Sequence, residues 1–231
     1  MPIIDFIVSH YVLMMLLLLA TIINFAWLFL NRKDLQMNLL VLILFSIFHT
    51  IIGILFVVLF AFAESGFNIE SFGNLSLYGG VFLMPIVYLG YALVRKIPIG
   101  RALDIFTISL VETLFFARIN CIISGCCYGI LIGNTGFRVP TRELELLFYL
   151  IFIIVFVTKI LKRNTSGIIY PIYLLSYGIF RFTTEFFRVS ANGGLFHYGH
   201  IRSLISIFLG ILFLIILRRL HYGWEKEKNI K

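Results

Sequence analysis

Four polar side chains recur at helical spacing within an apolar stretch in the last quarter of the sequence. Tyr177, Arg181, Glu185 and Arg188 are four, four and three residues apart, so a helix places them on one face. Charged groups inside a membrane span are costly, and they usually face the bundle interior and mark a functional site. Two arginines and a carboxylate on one stripe therefore predict a polar cavity in the membrane that binds an anionic ligand.

The composition indicates a polytopic membrane protein. Of the 231 residues, 61% are hydrophobic and only 13% are charged, and the mean hydropathy of +1.02 excludes an ordinary soluble domain. The net charge of +8 does not indicate nucleic-acid binding, because all seven lysines fall in short connections or the C-terminal tail. The N-terminal apolar run has no basic segment before it, so we expect a retained first span.

Seven apolar segments are long enough to cross a bilayer as helices. They lie near residues 6–30, 38–63, 77–94, 102–119, 144–161, 168–188 and 201–217. Basic connections alternate with connections that lack lysine, so the positive-inside rule predicts an outside N-terminus and a cytoplasmic C-terminus. The predicted fold is an all-α polytopic membrane helix bundle, a single domain with an outer loop at 120–143 and a basic cytoplasmic tail at 218–231.

Six arginines lie within the predicted spans or on the predicted outer side, where the positive-inside rule disfavours them. They are Arg118, Arg138, Arg142, Arg181, Arg188 and Arg202. Arginine offers a rigid fork that binds phosphate or carboxylate in a bidentate manner. Some of the six could instead pair structurally with Glu112, Glu143, Glu145 and Glu185. Six on one side favour a phosphate-binding cavity open to the outer leaflet.

Four further segments with reactive or small polar residues fall at or near the predicted outer face. They are 77–80, 118–129, 140–145 and 198–204. In the second of these, a glycine-bounded turn follows an arginine at a helix end, and its backbone amides could hold an oxyanion or a phosphate.

In their order and spacing these motifs resemble the prolipoprotein diacylglyceryl transferase family. The matching residues are Arg118, Gly125, Tyr128 and Gly129, then Pro140, Thr141 and Glu145, then Tyr177-Gly178, Arg181-Phe182, Glu185-Phe186 and Arg188, and finally Gly199 and Ser203. The string that contains Arg181 is the most specific of them. Before Arg118 the resemblance reduces to Tyr11, Gly79-Gly80 and Asp104.

The resemblance implies an enzyme of the bacterial cell membrane that needs no cofactor. It would transfer the diacylglyceryl group of phosphatidylglycerol to the lipobox cysteine of a prolipoprotein signal peptide and release glycerol phosphate. Arg118 and Arg181 would bind the phosphate and stabilise the leaving group, Glu185 would orient an arginine, and Tyr78 would be the fourth catalytic residue. The residues implied for substrate binding are Tyr11, Gly79, Gly80, Ser124, Gly125, Cys126, Gly129, Glu145, Tyr177, Arg188, His200 and Ser203.

The sequence departs from the family pattern at residues that would contact the acceptor or transfer its proton. Tyr78 replaces a histidine that is a candidate base, Cys121 replaces an asparagine, Cys126 replaces a glutamate and His200 replaces a glutamine. His197 or His200 could supply the missing base. Two alternatives therefore stay open: a transferase of the same fold with a glycan or polymer hydroxyl as acceptor, and a non-catalytic phospholipid-binding protein.

The three cysteines do not predict a metal site. The spacing of Cys121, Cys126 and Cys127 is not the paired Cys-x-x-Cys pattern of zinc sites, and the sequence offers no evident fourth ligand. We expect small buried thiols that pack a tight loop. A covalent role for Cys126 is the alternative.

Overall fold

The computed structural model describes residues 2–69, 75–133, 136–162, 167–188 and 198–228, with side chains described between residues 11 and 217. It contains seven α-helices in the described ranges. These are α1 (Pro2–Leu30), α2 (Leu39–Glu64), α3 (Leu77–Arg95), α4 (Ile99–Ile123), α5 (Thr141–Leu161), α6 (Ile169–Glu185) and α7 (Tyr198–Lys228). Extended pairing in these ranges is limited to two isolated bridges.

Six of these helices, all except α6, are long and apolar enough to cross a membrane. Helix α6 has 17 residues and carries the polar stripe. The predicted all-helical membrane fold is therefore confirmed, whereas the count of seven spans and the orientation of the termini stay predictions.

Helix α4 lies at the centre of the bundle and contacts α1, α3, α5 and α6. Its side chains are buried around most of its circumference, including the polar Asp104, Thr107 and Glu112. The indole nitrogen of Trp27 donates to the Ile105 carbonyl at 2.9 Å, which joins α1 to α4. A helix that is surrounded in this way can present side chains to several neighbours at once.

Asp104 fixes the start of α6 against α4. Its two carboxylate oxygens accept hydrogen bonds from the backbone N–H groups of Gly167 and Ile169 at 2.8 and 2.9 Å. These N–H groups lie at the start of a helix and have no partner within it, so the buried carboxylate satisfies them. The negative charge of the carboxylate is also stabilised by the positive end of the helix dipole. The anchored α6 then turns its polar stripe towards α4 and α5.

The ends of several elements differ from the sequence-based boundaries. Helix α6 ends at Glu185 rather than 188, and Arg188 pairs with Gly129 in an isolated antiparallel bridge. The outer loop predicted at 120–143 is shorter, at 124–140, because α4 continues to Ile123 and α5 begins at Thr141. The backbone of α7 stays helical into the predicted tail, as far as Lys228. The prediction for His197 lies outside the described residues.

Candidate active site

A buried carboxylate joins the two arginines that the sequence singled out. Glu145 Oε2 lies 2.8 Å from Arg118 Nη2 and 3.5 Å from Arg181 Nη1. Glu145 Oε1 accepts hydrogen bonds from the hydroxyls of Tyr149 and Tyr177 at 2.9 and 3.0 Å. Only 1% of Glu145 is exposed. The cluster thus brings α4, α5 and α6 together around one carboxylate.

Glu185 is the second carboxylate of the cluster, and it pairs with Arg181. Its Oε2 lies 3.0 Å from Arg181 Nη2, one helical turn away. Gly199 at the start of α7 packs directly against this carboxylate, and a Cβ at position 199 would overlap it. Arg181 is therefore held between two carboxylates, whereas Arg118 pairs with Glu145.

Each of the two arginines has one N–H donor that the cluster does not use. The Nε groups of Arg118 and Arg181 are buried and make no hydrogen bond within the described part of the chain. Buried N–H groups without partners are costly, so these two donors favour an additional acceptor such as a phosphate oxygen. Arg188 adds positive charge nearby, and no ion pair joins it to any described carboxylate.

These side chains border a cavity of about 360 Å³. Five of the predicted site residues line it: Tyr78, Arg118, Tyr177, Arg181 and Arg188. The other lining residues come from the ends of α1, α2, α3, α4 and α7 that the predicted topology places on the outer side, and from the connections beside them. At the rim, Arg202 of α7 pairs with Glu64 of α2 at 3.0 Å.

Tyr78, where the resemblance implied a histidine, lies in the wall of the cavity. Its hydroxyl lies 3.0 Å from the Ser203 hydroxyl, and its ring centroid is 6.0 Å from that of Tyr177. The Arg202 guanidinium lies over the ring at 5.4 Å. Ser203 also donates to the Gly199 carbonyl at 2.8 Å, which ties this wall to the start of α7.

The loop at 124–140 closes one side of the site. The N–H of Ile130 donates to the Phe187 carbonyl at 2.8 Å. Gly129 lies so close to Val139 that a side chain there would collide with it. Arg138 donates to the Gly129 carbonyl at 3.3 Å, and Arg142 donates to the Cys126 carbonyl at 3.2 Å. These two arginines hold the loop together rather than line the cavity.

Three thiols cluster at the start of this loop. The Sγ atoms of Cys121, Cys126 and Cys127 all lie within 4.8 Å of one another, and all three residues are free cysteines. The hydrogen bond from Cys121, together with the nearby Arg118 and Arg188 guanidinium groups, lowers the pKa of Cys127 to about 4. Cys126 is exposed, so the expectation that the thiols are buried is wrong for this residue. Partial desolvation and the neighbouring Cys127 raise the pKa of the Cys126 thiol.

Several predicted binding residues lie outside the cavity wall. Tyr11 is 66% exposed on α1. Gly79 packs against the backbone of Phe56 in α2. Gly80, Ser124 and Gly125 do not line the cavity either.

His200 is also displaced from the cavity, and one residue of the cluster was missed. The His200 ring is buried, with its centroid 4.4 Å from that of Phe186. Tyr149, which completes the shell around Glu145, was absent from the predicted set. Its position one helical turn after Glu145 on α5 was the available signal.

The fold and the site define a multi-pass membrane protein with an internal cavity whose wall carries a buried arginine–carboxylate cluster. A sequence profile of the prolipoprotein diacylglyceryl transferase family matches residues 1–216. The chain belongs to this family, as the motifs indicated.

Curated relatives are similar at low identity. A phosphatidylglycerol--prolipoprotein diacylglyceryl transferase of Clostridium tetani (strain Massachusetts / E88) is 25% identical over 162 residues, which cover 62% of this chain and 64% of the relative. A protein of the same name from Ehrlichia ruminantium (strain Welgevonden) is 28% identical over 182 residues, which cover 67% of this chain and 70% of the relative. The chain thus matches about two thirds of each relative's length.

Proposed function

We propose that this chain transfers the diacylglyceryl group of phosphatidylglycerol to the thiol of a lipobox cysteine in a prolipoprotein signal peptide. The reaction takes place at the outer leaflet of a bacterial cell membrane, in a bundle of seven spans with an outside N-terminus. The observation that carries the proposal is the cluster of Arg118 and Arg181 on Glu145, which borders a cavity large enough for a lipid headgroup. Family membership and the names of the relatives support it.

The electrostatics of the cluster favour a phosphate. Arg118 and Arg181 are balanced by Glu145 and Glu185, so Arg188 leaves the cavity with an excess positive charge. The Nε groups of the first two arginines each have one N–H to offer. A phosphate oxygen that takes these donors gains charge-assisted hydrogen bonds in a water-poor site.

The same groups would stabilise the reaction's leaving group. When the acceptor sulfur attacks the glycerol carbon, the carbon–oxygen bond to phosphate breaks and glycerol phosphate leaves with the electron pair. Negative charge grows on the phosphate at that moment, and fixed guanidinium groups stabilise it without reorganisation. Glu145 and Glu185 act through the arginines as positioning residues, since they hold both guanidinium groups in place before the lipid binds.

A reconstituted assay tests the proposal directly. Purified protein is incubated with phosphatidylglycerol and a lipobox peptide, and both the peptide mass and the glycerol phosphate released are measured. We expect a diacylglyceryl mass gain on the peptide and one glycerol phosphate for each transfer. Arg118→Gln removes a cavity arginine and should abolish both signals, whereas Arg142→Gln removes a loop arginine and should reduce them much less.

The second candidate acceptor is a hydroxyl group, and Tyr78 in place of the family histidine is the observation that favours it. If the acceptor is a hydroxyl group, we expect glycerol phosphate to be released when a glycan or polyol is supplied. The cysteine peptide should then stay unmodified. Phosphatidylglycerol binding that Arg118→Gln weakens, with no glycerol phosphate released with any acceptor, would instead indicate a lipid-binding protein without turnover.

A further inference from the structure

The loop after α4 brings three thiols together although the sequence spacing gave no sign of it. The backbone turns back on itself at Gly125 and Cys127, which have φ angles of 64° and 60°. The N–H of Cys126 donates to the carbonyl of Cys121 at 3.1 Å across this turn. A left-handed cap of this type ends helices and reverses the chain. It places the three Sγ atoms within 4.8 Å of one another.

This geometry is close to that of a metal site with three thiolate ligands. A tetrahedral zinc ion with Zn–S bonds of about 2.3 Å holds its sulfurs about 3.8 Å apart. The thiols therefore need to approach by about 1 Å at most, a distance that small rotations of cysteine side chains cover. Thiolates in sets of three or four select zinc and other thiophilic cations over hard cations such as magnesium.

The surroundings suit the charge of such a site. Three thiolates and a divalent cation carry a net charge of −1. Arg118 Nη1 lies 3.9 Å from Cys121 Sγ, and Arg142 binds the carbonyls of Cys121 and Cys126. Cationic partners of this kind stabilise thiolates and fix the backbone that carries them.

The cluster also faces the cavity. Cys121 and Cys127 line it together with Arg118, Arg181 and Arg188, whereas Cys126 is exposed and is not among the lining residues. A cation held by three sulfurs keeps a fourth position, and three protein ligands with one open position are typical of catalytic zinc sites.

We propose that Cys121, Cys126 and Cys127 form a binding site for a thiophilic divalent cation of the zinc type, with its open position towards the cavity. The evidence for this site is the geometry of the three thiols, which does not depend on the proposed function. Its use rests on the proposed function: the acceptor thiol binds at the open position as a thiolate and releases its proton to water. The bound sulfur forms the C–S bond, and the C–O bond to the phosphate breaks.

Such a site would supply the thiol activation that Tyr78 does not. The tyrosine hydroxyl is bonded to Ser203, and a phenol is a poor base near neutral pH. A metal-bound thiol is deprotonated outright.

Metal titration of the full chain in detergent tests the site without any substrate. The reduced, metal-free protein is titrated with Co²⁺ as a spectroscopic probe and then with Zn²⁺. We expect one Co²⁺ per chain with sulfur-to-cobalt charge-transfer absorption, displaced by one equivalent of Zn²⁺. Cys126→Ser and Cys127→Ser should each weaken Zn²⁺ binding by more than the roughly 10- to 100-fold that loss of an outer-shell partner costs.

Ser124→Ala is the matched control, because it changes the same turn without removing a sulfur. Parent protein that binds no stoichiometric Co²⁺, or cysteine variants that bind as well as Ser124→Ala, would overturn the site. A disulfide among the three cysteines in protein taken directly from the membrane would also overturn it. Melting curves of each variant show that it is folded, so lost binding reflects lost ligands.

The test also separates the site from the reaction. Full transfer to the lipobox peptide by metal-free protein would overturn the use of the metal and leave the proposed function intact. Stoichiometric metal binding without any transfer would support the site and count against the proposed function. Transfer that appears only after Zn²⁺ is restored supports both.

Discussion

Replacement of Glu145 by glutamine tests the central feature of the site, the carboxylate shared by two arginines. The change keeps the size of the side chain and removes its negative charge. Arg181 keeps its second partner, Glu185, at 3.0 Å. Arg118 loses the one carboxylate that it contacts among the described residues, and its guanidinium remains buried with 4% exposure. The cost should therefore come mainly from one uncompensated buried charge.

The expected loss of stability is large. Removal of one partner of a buried ion pair typically costs about 3–5 kcal/mol. For a chain of this length each kcal/mol shifts the melting temperature by roughly 2–4 °C, so Glu145→Gln should melt roughly 6–20 °C below the parent. Thermal unfolding in detergent, followed by intrinsic fluorescence, measures the shift.

Glu143→Gln is the matched control on the same helix. Glu143 is 45% exposed and pairs with Arg142 at 3.2 Å, and exposed pairs of this kind contribute about 0–1 kcal/mol. Its melting temperature should stay within a few degrees of the parent. Added phosphatidylglycerol should stabilise Glu145→Gln more than Glu143→Gln, because an anion can take the place of the lost charge. Equal melting temperatures for the two variants would refute the reasoning.

Three further substitutions probe the neighbouring contacts. Arg181→Lys replaces a planar fork, which reaches Glu145 and Glu185 with separate nitrogens, by a compact ammonium group. The loss of one charge-assisted hydrogen bond of about 1.5–3 kcal/mol should reduce turnover roughly 10- to 100-fold in the peptide assay. Tyr78→Phe removes the bond to Ser203 and should cost about 0.5–1.5 kcal/mol of unfolding free energy, measured by thermal melting; no change in melting would show that this bond is not formed. Gly199→Ala overlaps the carboxylate that pairs with Arg181 and should cost about 1–3 kcal/mol by overpacking, whereas Gly90→Ala, with open space around it, should melt no lower than the parent.

The sequence predicted the features of the site that depend on local geometry. The spacing of Arg181 and Glu185 puts them one turn apart on any helix, so their contact needed no knowledge of the bundle. The apolar segments likewise predicted all seven helices, with ends that differ by several residues where loops form caps. The resemblance to the family, drawn from the order and spacing of the motifs, is confirmed by the family profile that matches residues 1–216.

The central contact was beyond prediction because it depends on packing. Glu145 meets Arg118 from 27 residues away and Tyr177 from 32 residues away. Which carboxylate faces which arginine depends on how α5 rotates against α4 and α6, and several carboxylates were available. The thiol cluster was missed for a different reason. It depends on left-handed backbone at Gly125 and Cys127, which a rule based on cysteine spacing does not include.

The shared carboxylate also explains how this membrane site tolerates its arginines. Two unpaired guanidinium groups within a span would be expensive, yet Glu145 and Glu185 together cancel the charges of Arg118 and Arg181 before any ligand binds. On the proposed function, the phosphate would then be attracted by the surplus charge of Arg188 and by the free Nε donors, rather than by two bare cations. Such a site would bind the phosphate without holding it too tightly to release, as the proposed transfer with a phosphate leaving group requires.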